Sequence, residues 1–109
     1  MTLQVLVLKS DENIIADVSE IHNEAGIVLG YNLSNPRKIT ISRVKTPEGE
    51  IDPTTVSAVF TKWQLFSDDT EYQIPSDWVV TICEPMERIK KSYEENVNAQ
   101  KRAMSLLNE

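Results

Sequence analysis

The chain has 109 residues, 17 of them acidic and 11 basic, for a formal charge of −6. That length fits one domain, the acidic balance argues against broad coating of nucleic acid, and the lone Cys83 excludes an internal disulfide. No run approaches the roughly 20 apolar residues of a membrane helix, and Leu3–Leu8 is too short for a signal peptide, so a soluble, cytoplasmic protein is expected.

Leu3–Leu8 reads as a first strand, nearly apolar on both faces, and Ser10–Asn13 as a polar turn. Asn13–His22 reads as a second strand. Ile14, Ala16 and Val18 share one face, and Ile15, Asp17 and Ser19 the other, which fits a sheet with one wet side. After a turn at His22–Glu24, Gly26–Tyr31 reads as a third strand, with glycines that suggest bending or close backbone approach. Asn32–Pro36 interrupts it, and Lys38–Val44 resumes it. Thr46–Pro53 is rich in turn residues and reads as an exposed tip. Val56–Phe66 returns as a strand, Ser67–Thr70 breaks it, and Glu71–Ile74 completes it. The two breaks lie at comparable distances from the tip, so the reading is one long hairpin with Asn32–Pro36 facing Ser67–Thr70.

Pro75-Ser76-Asp77 is a short turn former and Trp78–Cys83 a β-branched, aromatic strand. Cys83 in such a strand reads as a buried small hydrophobe. Pro85 opens a helix over about Met86–Leu107, with Ile89, Tyr93, Val97, Met104 and Leu107 at helical spacing and Gln100 breaking the stripe. Glu87 and Lys91 stand at i,i+4, and the stripe suits packing on the sheet or on a neighbouring subunit. The expected organisation is mainly β with a C-terminal helix: residues 1–84 as a β domain and 85–109 as an amphipathic helix.

The charge is uneven. Ala25–Pro47 holds no acid but carries Arg37, Lys38, Arg43 and Lys45. These four are candidate phosphate contacts, each worth about one unit of salt slope, or else a solubilising loop flank. His22 is the one histidine, a polar loop residue or a base-stacking group. Trp63 and Trp78 read as core or as stacking platforms; Trp78 follows a turn directly. Asp68, Asp69 and Glu71 read as solvated turn acids. There is no zinc-type His/Cys cluster, no glycine-rich phosphate loop and no Ser-His-Asp set. No enzyme activity, metal or cofactor is therefore expected.

Two segments carry a family resemblance. Val5-Leu6-Val7-Leu8-Lys9-Ser10-Asp11-Glu12-Asn13-Ile14-Ile15-Ala16-Asp17-Val18, followed by Ile21–Leu29, resembles the first motif of the Sm/LSm proteins. Ile74-Pro75-Ser76-Asp77-Trp78-Val79-Val80-Thr81-Ile82 resembles the family's Ile-Arg-Gly-Asp-x-Val-Val-x-Ile motif in spacing. The whole also resembles Sm-like proteins attributed to marine phages, which would put it in host cytoplasm. The resemblance implies a strongly bent, five-stranded antiparallel open barrel, here with an elongated third-to-fourth-strand hairpin. It also implies a homo-oligomeric ring of about five to seven subunits, closed through Tyr72, Ile74, Trp78, Val80 and Ile82 on the last two strands.

The family pocket for a uridine-type base is changed. His22 falls at its Asp, Ala25 at its stacking residue and Gly26 at its Asn, while Pro75 and Ser76 replace Arg-Gly. Nucleic-acid contact would then fall to His22, Asn23, Ser76 and Trp78 beside Arg37, Lys38, Arg43 and Lys45. The expectation is a ring that binds single-stranded RNA, or DNA, and serves its processing, by charge and stacking. The second reading is an oligomeric structural or assembly protein, phage-encoded, that binds protein partners through its acidic surface and terminal helix.

Overall fold

The computed structural model describes residues 1–45 and 51–107. It holds six antiparallel strands and one long helix: β1 (Thr2–Leu8), β2 (Asn13–His22), β3 (Val28–Lys45), β4 (Ile51–Lys62), β5 (Glu71–Pro75), β6 (Val79–Cys83) and α1 (Glu87–Leu107). The strand order is β4-β3-β2-β1-β6, with β5 also on β3. β4 and β5 lie along the same side of β3: β5 pairs with Gly30–Ser34 and β4 with residues 37–45. The expected mainly β architecture with a C-terminal helix is thus present, as an open sheet. Most of the expected tip lies outside the described residues.

β3 is not interrupted at Asn32–Pro36 as expected. It runs through with a bulge, because Ile15 and Asp17 of β2 face Arg37 and Ser34 of β3, one residue out of step. Asn35 takes the left-handed conformation there, φ 50°, which a short polar side chain tolerates. Pro36 has no N–H to give a ladder and fits the same irregularity. The expected opposition of the two breaks is present: the Asn35 N–H donates to the Thr70 carbonyl at 2.7 Å. The second break is wider than expected, running from Trp63 to Thr70.

The sheet has two packed faces. The inner one gathers Leu6, Leu8, Ile14, Ala16, Val18, Leu33 and Ile74, with Tyr31, Trp63, Val79 and Ile82 against them. Fully burying one such leucine is worth about 1.5–3 kcal/mol. The outer face, expected to be wet, is covered by α1. Ile15 is fully buried with Tyr93 and Val97, and Leu3, Val5, Ile39, Phe60 and Ile89 pack around them. The Ile89, Tyr93 and Val97 part of the helical stripe therefore lies on the chain's own sheet, while the side chains of Met104 and Leu107 lie outside the described residues. Near its start Glu87 pairs with Lys90 at 3.5 Å, one residue earlier than expected.

One glycine is required by close approach. A Cβ on Gly30 would run into the carbonyl of Ile74, where β3 and β5 meet.

Candidate nucleic-acid and assembly surfaces

Two places in the fold carry the candidate residues. The first is the end of the sheet where β2 turns into β3. Asn23 Oδ1 accepts the N–H groups of Ala25 at 2.9 Å and Ile27 at 3.0 Å, and Gly26 completes the turn at φ 81°. Asn23 is thus committed to its own loop. His22 Nε2 lies 2.8 Å from Glu20 Oε2, an exposed pair. Because Gly30 of β3 faces Pro75 of β5, the turn after β5 lies at this same end. That turn is a single 3-10 turn, Ser76–Trp78, closed by the Val79 N–H donating to the Ser76 carbonyl. Trp78 belongs to it rather than to the strand, and is 45% exposed. His22 and Asn23 therefore close one end of the β2–β3 pair, where Ser76 follows Pro75, while Trp78 lies toward the end of β1, its carbonyl accepting the Lys9 N–H at 3.0 Å.

The second place is the β3 bulge under α1, seven residues further along β3, or roughly 20 Å at strand spacing. Arg37 lies here and is 5% exposed, so it is not a surface cation. Its Nε donates to Asn96 Oδ1 at 3.0 Å, one terminal nitrogen to the Pro36 carbonyl at 3.2 Å, and the other to Gln100 Oε1. Tyr93 donates its hydroxyl to the Asn35 carbonyl at 3.0 Å. Burial pushes the Arg37 guanidinium below its ordinary pKa, with Tyr93 partly offsetting this. Burial likewise pushes the Tyr93 phenol up to about 12, helped by Asp17. The reason Arg37 is buried is α1: Tyr93, Asn96, Val97 and Gln100 share one helical face and meet the bulge.

Lys38 reaches Glu12 Oε2 at 3.8 Å, half exposed. That carboxylate also accepts from Trp63 Nε1 at 3.3 Å. The side chains of Arg43 and Lys45 lie outside the described residues. The acid-free stretch is thus not one patch: Arg37 turns inward and Lys38 is paired.

The expected assembly residues also separate. Ile74 is buried in the core and Ile82 packs against it. Tyr72 is half-buried, edge-on to Trp63 at 5.8 Å. Val80 is 63% exposed. The cause is a second bulge: Val7 faces Thr81 but Leu8 faces Val79, so Val80 is the extra residue and the strand's alternation resets. Val79 and Ile82 then turn inward, and Cys83 is exposed rather than buried. Among the described residues, β6 pairs with β1 and β5 with β3, leaving one edge of each unpaired.

A family model matches residues 1–98, from β1 into α1. The chain belongs to DUF6561, a family of unknown function. No curated protein matches it. The DUF6561 match takes in the sheet-end group and Arg37 with Asn96, but stops short of Gln100. Among the described residues of this DUF6561 chain, no three His, Cys, Asp or Glu side chains group as metal ligands would. No helix among them is long and apolar enough to cross a membrane.

The sequence reading missed Asn35, Tyr93, Asn96, Gln100 and Glu12 as organising groups. Gln100 left a trace, as the polar residue that breaks the helical stripe. A polar pair spaced i,i+4 beside an apolar stripe signals a buried polar partner across the contact.

Proposed function

We propose that this chain is an Sm-like subunit that closes into a homo-oligomeric ring of about five to seven copies and binds single-stranded RNA, or DNA, at the sheet end. The observation that carries the reading is the pair of unpaired edges on β5 and β6, with exposed Val80 beside one of them. An unpaired edge invites another strand, and ring closure removes it. Strand order supports the same reading: the last strand pairs with the first and the one before it with the third, as in an Sm barrel enlarged by a β3–β4 arm. His22 would supply a stacking face there, and Trp78 another toward the end of β1. Residues 1–84 form the ring-building unit, and 85–109 buttress it from outside. The ring would work in the cytoplasm, without catalysis of its own.

A second reading is favoured by Arg37 and Lys38. One is buried and the other paired with Glu12, so neither is free for phosphate, and the same ring suits protein partners in an assembly.

The test has two parts. Light scattering on the full chain should give several times the 12.4 kDa subunit mass, and Val80→Asp should lower that mass while leaving the fold intact; a monomeric wild type sinks the ring. Fluorescent oligo(U), oligo(A) and single-stranded DNA at two salt concentrations should then bind in a salt-sensitive way, and Trp78→Ala should weaken binding about tenfold. No binding at low salt would leave the assembly reading standing.

A further inference from the structure

The bulge, the Trp63–Thr70 crossing and the outer part of α1 enclose a groove of about 280 Å³. We propose that this groove binds a small phosphate-bearing anion, with buried Arg37 as its fixed cation and Lys62 and Lys101 on its walls. The site is separate from the sheet end and does not depend on ring formation.

Arg37 carries the inference. Its three acceptors, Asn96, Gln100 and the Pro36 carbonyl, are all neutral. Among the described residues no carboxylate forms an ion pair with it. A buried charge is costly unless paired. A guanidinium has five N–H donors, and the three bonds hold the plane fixed while leaving donors for a further acceptor. Planar, anchored arginine suits the oxygens of phosphate. Lys62, held to the Ser67 carbonyl, adds a second positioned cation, and Lys101 on exposed helix a third.

Asp68 and Asp69 also line the groove. Their carboxylates oppose a highly charged ligand and suit one with hydroxyls or an amine beside its phosphate. The volume sits just below the usual range for ligand pockets, about 300–1,000 Å³, so the occupant is one small molecule, not a polymer strand. Inorganic phosphate and a mononucleotide share the required chemistry.

Calorimetry on the full chain at constant ionic strength distinguishes them, with inorganic phosphate, uridine 5′-monophosphate and uridine as probes. Phosphate and the monophosphate should bind saturably and uridine should not. Equal affinity for the first two assigns the site to the free anion; tighter binding of the monophosphate assigns it to the nucleotide. Lys101→Glu, on exposed helix, should weaken binding about fivefold, and Asp68→Asn with Asp69→Asn should strengthen it. Arg37→Gln should abolish binding. Since that variant can unfold, the Lys101 and aspartate variants decide the matter, with circular dichroism as the control. No saturable binding, uridine binding as well as its monophosphate, or indifference to Lys101→Glu would overturn the proposal. Trp78→Ala should leave phosphate binding unchanged, so failure here and failure of the oligonucleotide reading are separable.

Discussion

The two faces of the sheet are held by different physics. The inner face is a cluster of aliphatic side chains from β1, β2, β3 and β5, fully or nearly removed from water. Its contacts are non-directional, and their worth scales with area. The outer face mixes the apolar set around Ile15, Tyr93 and Val97 with a hydrogen-bonded knot of Arg37, Asn96, Gln100 and the Asn35 carbonyl. There the geometry is directional, and each partner fixes the next. The inner face makes the sheet stable, while the outer face sets where α1 lies along it. A helix held by apolar contact alone can slide by a turn; one that must meet Arg37 at Asn96 and Gln100 cannot.

The largest effects should come from the inner face. Leu6→Ala or Leu33→Ala removes a fully buried side chain and should cost about 2–5 kcal/mol, as transfer energy plus cavity. Urea unfolding would measure it; a loss under 1 kcal/mol would mean that this face is loosely packed. Arg37→Met keeps much of the volume but leaves the Asn96 and Gln100 oxygens without their donor. It should cost about 1–3 kcal/mol and loosen α1 selectively, seen as faster amide exchange in Glu87–Leu107 than in β1 and β2. Equal exchange throughout would mean that apolar contact alone seats the helix.

This division also explains what could be read in advance. β2 matched its expected bounds, Asn13–His22, because turn residues bound it and strands pair along both its edges. β1 and α1 were legible from an apolar run and from helical spacing. The bulges were not. At Asn35–Pro36 the local signal is a turn, and only pairing on both sides of β3 keeps it a strand. At Val80 the period-two pattern fails because one residue is left out of the ladder, so Ile82 moved from the expected assembly surface into the core contact. The basic stretch misled in a similar way. Charge is visible in a sequence, but whether a cation points outward depends on what covers its strand. For Arg37 that cover is a helix 59 residues away.

The smallest of these effects is also the most diagnostic of the outer face. Tyr93→Phe removes one hydroxyl and its bond to the Asn35 carbonyl, and should cost about 1 kcal/mol at neutral pH. The pH dependence sharpens it. The folded-state phenol is raised to about 12, from 10.0. Below pH 10 both folded and unfolded chains keep the proton, and the contribution is fully present. As pH rises from 10 to 12 the unfolded chain releases it first, so the unfolded state is favoured and stability falls, by about 1 kcal/mol per pH unit at most. The difference between wild type and Tyr93→Phe isolates the one group. That gap should be constant below pH 10 and should close above it, because the variant has no phenol to ionise. A gap unchanged through pH 12 would mean that the hydroxyl is open to water, and that the knot around Asn35 does not hold the helix down.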